Sequence, residues 1–167
     1  MRKLPDTIKG FTAFVDGFGQ GGVTTSGKLP VMKIKTEGHR DGGMDGESDL
    51  DLGMDKLEAE LGFAELSPLL AGCVGKRDRP ITLRGSQEGE NGVKRAVIAE
   101  FRGLVTEADP GTWDGETKKT ELKLKISCDY YRLRIGGELV YEIDVLGGVR
   151  IIDGVDQLAL RRANLGL

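Results

Sequence analysis

Between Thr117 and Ile135 the chain alternates apolar and charged side chains more strictly than anywhere else in its sequence. Leu122, Leu124, Ile126, Cys128 and Tyr130 are apolar at even positions, while Lys119, Glu121, Lys123, Lys125 and Asp129 occupy odd ones. Successive side chains of a strand point to opposite faces, so this pattern requires a half-buried strand. At Tyr130-Tyr131 the phase reverses, because Tyr131, Leu133 and Ile135 now carry the apolar face opposite Arg132 and Arg134. A reversal of period-two phase means a bulge or a change of the surface being buried. Drawn straight, the run would span about 60 Å at roughly 3.3 Å per residue. A compact chain of this length has a radius of gyration near only about 15 Å. The strand is therefore expected to bend sharply or to leave the domain and meet another surface, the second in part.

The same period continues along most of the chain. Residues 10–15 read as a first strand ended by the glycine-rich stretch Asp16 to Gly22, residues 23–29 as a second, and Val31 to Glu37 as a third. Residues 38–49 are polar, glycine-rich and aperiodic, which predicts a long mobile loop of the kind that carries function. Strand-like alternation returns from Leu50 to Leu61. One short helix is expected within 63–74, where Leu66, Leu69, Leu70 and Cys73 have helical spacing and Ser67 caps ahead of Pro68. Ile81 to Gln87 and Val93 to Thr106 flank the Asn91-Gly92 turn, and Gly136-Gly137 folds the long run onto Leu139 to Val145, making a long hairpin over 117–145. Glycine supplies 26 of 167 residues, with 38% hydrophobic and 31% charged. That describes a mainly β single domain over 1–167, full of turns, and excludes a transmembrane or collagen-like chain.

Motifs for chemistry are weak. Gly17-Phe18-Gly19-Gln20-Gly21-Gly22 fits a dinucleotide pattern, but Val23-Thr24-Thr25 follows where that site needs a helix. Asp45, Glu47, Asp49 and Asp51 alternate like a calcium loop, yet Leu50 and Lys56 stand where glycine and glutamate belong. The only histidine, His39, lies in the polar loop, and neither Cys73 nor Cys128 is placed beside a base. The two cysteines read as buried hydrophobes and not as a disulfide. A net charge of −3 gives no reason to hold nucleic acid tightly, and Lys118, Lys119, Lys123 and Lys125 alternate with acids. The opening Met1-Arg2-Lys3-Leu4-Pro5-Asp6 lacks an apolar core for export, so no signal peptide and no membrane anchor are expected. No catalytic, cofactor-binding or metal-binding residue is expected, and the chain reads as a non-enzyme.

Several segments, taken in order, resemble one family. They are Phe14-Val15-Asp16-Gly17, Leu29-Pro30 before Lys33 to Lys35, Gly42-Gly43-Met44-Asp45, Leu52-Gly53-Met54 and Arg102-Gly103-Leu104. Asp109-Pro110-Gly111-Thr112-Trp113, Tyr130-Tyr131 and Leu139 to Asp144 follow, then Gly148-Val149-Arg150, Gly154 to Leu158 and Leu165-Gly166-Leu167. Together these resemble the major tail tube proteins of contractile phage tails and R-type pyocins (tailocins). The resemblance implies an antiparallel β-sandwich or barrel with one short flanking α-helix. It also implies homohexameric rings stacked into a hollow tube for DNA passage or envelope puncture.

The expected partners are other copies of the chain, a tail sheath protein outside, baseplate or initiator and terminator proteins, and phage DNA in transit in a true phage. The expected location is a virion or tailocin particle, encoded by a phage or prophage and assembled in the host bacterial cytoplasm. Gly42, Gly43, Met44, Asp45, Gly46 and Glu47, in the mobile loop, are the expected inter-subunit contact, ordered only on assembly. A type VI secretion-like tube subunit carrying effectors is the alternative. A small-ligand barrel fits less well, with so few aromatic residues to line an interior.

Overall fold

The computed structural model describes residues 4–167; Met1 to Lys3, part of the opening read for an export signal, lie outside the described residues. The strands are β1 Thr7–Val15, β2 Phe18–Gly19, β3 Thr24–Lys28, β4 Ile34–His39, β5 Ser48–Met54, β6 Leu57–Phe63, β7 Ile81–Glu88 and β8 Lys94–Asp109. They continue as β9 Leu122–Ile135, β10 Glu138–Asp144, β11 Val149–Ile152 and β12 Val155–Asp156, with helices α1 Pro68–Ala71 and α2 Ala159–Leu165. All pairings are antiparallel. The main sheet runs β12-β11-β10-β9-β8-β7-β1-β2, with β6 also on β9 and β3 beyond it, while β4 and β5 form a separate hairpin. The chain is thus mainly β, in the antiparallel class expected. Among the described residues no helix is long and apolar enough to cross a membrane.

The phase reversal in the long run is a bulge. Arg102 pairs with Tyr130 but Gly103 pairs with Cys128, so Asp129 is the extra residue on β9. Leu122, Leu124, Ile126 and Cys128 are buried before it, Tyr131 and Leu133 after it, and all six belong to one core. The added residue restores the inward phase, so β9 keeps one buried face and does not leave the domain as expected in part. Its length is also smaller, because residues 117–121 lie outside the strand. The bulge divides the outer edge of β9: β6 pairs with Leu122 to Cys128, β10 with Tyr130 to Ile135. Across from it, a Cβ on Gly103 would lie 1.9 Å from the Ser127 carbonyl oxygen and 2.7 Å from the Cys128 Cα. Only glycine fits there.

Around that division the sheet curls toward a barrel. Ala13 of β1 donates its amide to Thr24 Oγ1 of β3 and accepts from the Gln20 amide, bridging the two ends of the curl. Ala13, Val15, Leu61, Phe63, Ile81, Phe101 and Val105 fill the interior. Helix α1 plugs it with Leu70 and the turn that follows with Cys73, the helix start fixed by the Ser67 hydroxyl accepting from the Leu70 amide.

Four local expectations are corrected. The helix is only Pro68–Ala71, because Phe63 ends β6 and Ser67, before proline, is held extended at φ −101 and ψ 152. Leu50 to Leu61 is two strands in two sheets, separated at Asp55, whose amide donates to the Lys33 carbonyl and closes the β4–β5 hairpin. The loop expected over 38–49 shrinks to 40–47, since Gly38, His39, Ser48 and Asp49 pair across that hairpin. A second helix, α2, was not expected.

Gly103→Ala should lower unfolding stability by about 2–3 kcal/mol, because the clash is with backbone and cannot relax by a rotamer change; urea denaturation checks it. Leu124→Asp should abolish folding by placing a carboxylate among core side chains, read as loss of a cooperative transition.

Candidate functional site

The sequence motifs separate in space. Asp16-Gly17 forms the tight turn between β1 and β2, and β3 follows, so the glycine-rich stretch caps no helix. Asp49 and Asp51 lie on β5 while Asp45 and Glu47 lie in the loop before it; among the described residues no group of three or more acids, histidines or cysteines could hold a metal ion. His39 ends β4 and is exposed. Cys73 and Cys128 are free and buried. Burial raises the pKa of both thiols, that of Cys128 to about 12.

What the fold presents instead is an arm. The β4–β5 hairpin buries none of its side chains and ends in loop 40–47. That tip holds Gly42, Gly43, Met44, Asp45, Gly46 and Glu47 together, shaped by Asp41, whose carboxylate accepts from the Gly43 amide and whose carbonyl accepts from the Met44 amide. Arg40 Nε donates to the Met44 carbonyl across the tip. Leu50 and Leu52 are about half-exposed, at 49% and 50%.

The root of the arm is fixed by a residue that sequence reasoning passed over. Arg150 of β11 is buried and donates from Nη2 to Asp51 Oδ2 at 2.7 Å. The same carboxylate accepts from the Gly53 amide at 2.7 Å, and Gly53 takes φ +107, which lets β5 bend away from the body. The Arg150 hydrogen bond, then the Gly53 amide, hold the Asp51 carboxyl below its ordinary range. The available signal was one arginine inside the apolar run Val149-Arg150-Ile151-Ile152, which demands a partner. Behind this contact lies a cavity of about 280 Å³, lined by the arm root, the Asp129 bulge, Arg150, Leu158 and Arg161.

Beside it, α2 buries none of its residues. Arg162 ties it down, donating to the Gly148 carbonyl at 2.7 Å and to Asp156 at 2.5 Å. At the far end of the β8–β9 ladder, Trp113 is 78% exposed in the loop after Asp109. These are projecting, unfilled surfaces. Such surfaces serve contact with other chains.

Comparison with known proteins agrees with that geometry. The model of the family described as phage tail tube protein FII matches residues 5–166. The chain is 33% identical over 171 residues to the tail tube protein of Escherichia phage P2, covering 98% of this chain and 99% of that protein. It is 32% identical over 162 residues to the major tail tube protein of Serratia phage KSP20, covering 90% of each.

Two outcomes follow from the geometry. The depressed Asp51 pKa means that its pair with Arg150 stabilises the arm root above the unfolded carboxylate value of about 3.9 and is lost as pH falls through the lower folded value. Limited proteolysis within 34–54 should therefore accelerate only in that acid window, and Asp51→Asn should show the same acceleration at pH 7 without lowering the midpoint of global unfolding appreciably. Second, neither native thiol should react with a thiol reagent until the protein is denatured.

Proposed function

Because the chain belongs to the phage tail tube protein FII family, it is a structural subunit that assembles with copies of itself into the tail tube of a virion, and we propose that six copies close into a ring and that rings stack into the hollow inner tube of a contractile tail. The observation that carries this is that the likeness to tail tube proteins runs from end to end of the chain and is not confined to one motif. The shape supports it. Strand β2 covers only Phe14 and Val15 of β1, which leaves the edge of β1 from Thr7 to Thr12 open to another chain, while the projecting elements offer further, different contact surfaces. Different surfaces on one chain make a heterologous contact, which closes into a ring or continues along an axis.

On this reading the whole chain acts as one domain and catalyses nothing, and no cofactor is needed. A sheath protein surrounds the tube, baseplate or initiator and terminator proteins bound its ends, and assembly takes place in the host cytoplasm. Rings of subunits each carrying −3 are acidic overall, so phage DNA in transit is not held by attraction to its phosphates. The loop residues Gly42 to Glu47 take a fixed conformation against a neighbouring copy, and their glycines place the entropy cost of order at assembly. That both relatives are phage tail proteins favours this over the secretion-tube alternative.

Negative-stain microscopy of the purified chain, alone at high concentration or with its baseplate partners, should show tubes built of six-fold rings. Persistent single subunits under both conditions would overturn the proposal. Deleting Gly42 to Glu47 should leave the circular dichroism spectrum unchanged and abolish tubes. Normal tubes from that variant would remove the loop from the interface.

A further inference from the structure

The anchor of the arm is only half made. Arg150 keeps just 7% of its side chain exposed and gives Asp51 Oδ2 a single hydrogen bond, from Nη2. Its Nε is buried and has no hydrogen-bond partner among the described residues. Nε and Nη2 share one edge of the guanidinium plane, and a carboxylate can lie along that edge with an oxygen on each nitrogen. Asp51 does not do so, because the Gly53 amide donates to its Oδ1 at 2.7 Å. One carboxylate oxygen thus has two donors within reach of a small shift and serves only one.

The two donors differ in what they lose. Gly53 is partly exposed, so water can take its amide when Asp51 leaves. Nε is sealed from water, and a buried donor on a charged group bears the larger penalty when it is left without an acceptor. What keeps Oδ1 on Gly53 is local geometry. An aspartate accepting from the amide two residues on closes a tight turn, and Gly53 at φ +107 is bent to it. Asp51 can leave that turn only if the root of β5 shifts with it, and the surroundings permit the shift. The cavity of about 280 Å³ borders Gly53, Met54 and Asp55 as well as Arg150, and no side chain of β4 or β5 is buried to resist it. Arg161 lines the same cavity and its charge also acts on Asp51, which keeps the carboxylate ionised wherever it rests.

We propose that the arm root is a latch with two positions: Asp51 Oδ1 rests on the Gly53 amide in the free subunit and passes to Arg150 Nε when another copy seats the arm. The root is then held by two bonds to a buried guanidinium in place of one. This rests on the tube reading above, because contact with another copy supplies the preference that moves the latch. Such a contact shifts the balance only by as much as it favours one position, so a root with two nearly matched positions responds to a weak one.

The test follows the Nε–H group of Arg150 by nuclear magnetic resonance, in solution for dilute subunits and under magic-angle spinning for sedimented tubes. Its proton signal should move downfield on assembly, as a new charge-assisted hydrogen bond requires. Asp51→Asn has one acceptor oxygen and cannot give an oxygen to each nitrogen. That variant should fold, need about tenfold or more the concentration to form tubes, and show no such movement in the tubes it forms. An Nε–H signal at one position in subunits and tubes would overturn the latch while leaving the tube intact. So would the same movement in Asp51→Asn tubes, or tubes of that variant at the unmodified chain's concentration. Failure of the unmodified chain to form tubes would overturn the tube reading, and the latch with it.

Discussion

At Gly103 the backbone of β8 runs so close to Ser127 and Cys128 of β9 that no side chain fits between them, and the rest of the sheet depends on that approach. It accommodates the extra residue at Asp129, which turns β9 by one position and bends it. Because β9 bends there, its outer edge is handed from β6 to β10, and the sheet acquires two branches: one curling into the closed core, the other continuing through β10 and β11. The second branch carries Arg150, and Arg150 carries the arm. A one-residue irregularity in the interior thus fixes where the projecting elements leave the body.

Those elements are attached by arginine and not by apolar packing. Arg150 meets Asp51 at the arm root and Arg162 meets Asp156 and Gly148 at α2. A guanidinium presents several donors in a fixed plane, so it sets direction well while contributing little net stability where the partner is solvated. Arg150 is buried and Asp51 half-exposed, so the carboxylate is the side that can move. Such an attachment aims an arm without locking it. A contact made by another copy can then draw the arm into its final position at small cost, which an apolar root would resist.

How much of this was legible follows from how local each signal is. The bulge at Asp129 could be read as a phase reversal at Tyr130-Tyr131, and the hairpins from Asn91-Gly92 and Gly136-Gly137, because neighbouring residues determine both. The family resemblance was legible from ordered short segments along the whole chain. The break at Asp55 shows only as a phase shift, from Leu50, Leu52 and Met54 at even positions to Leu57, Ala59 and Leu61 at odd ones, which marks an irregularity but not that the partner strand changes. Helix α2 was not legible, since its leucines satisfy no amphipathic pattern toward their own subunit and its clamp joins Arg162 to Gly148, 14 residues away. The Asp51–Arg150 pair spans 99 residues, and no local period marks such a contact. The loop 42–47 is marked by its glycines, whereas the alternation of Leu50 and Leu52 behind it shows a strand without showing whose surface those leucines cover.

That ambiguity contains the physical logic of the subunit. In a chain that folds to be complete by itself, strand alternation identifies side chains for its own core. In one that folds to be a component, the same alternation also identifies side chains for a neighbour's surface. Leu50 and Leu52 alternate as regularly as Leu122 and Leu124, yet the first pair stays about half-exposed and the second is buried. The difference lies in what surrounds them. Leu124 is flanked by strands on both sides, while Leu50 sits on a two-stranded arm rich in carboxylates, with a single hairpin partner. Interspersed charge keeps such a face from adhering to any apolar surface it meets and leaves it available to one that matches in both charge and shape. Many weak matched contacts, repeated with every subunit, then hold a long polymer that no single contact would stabilise.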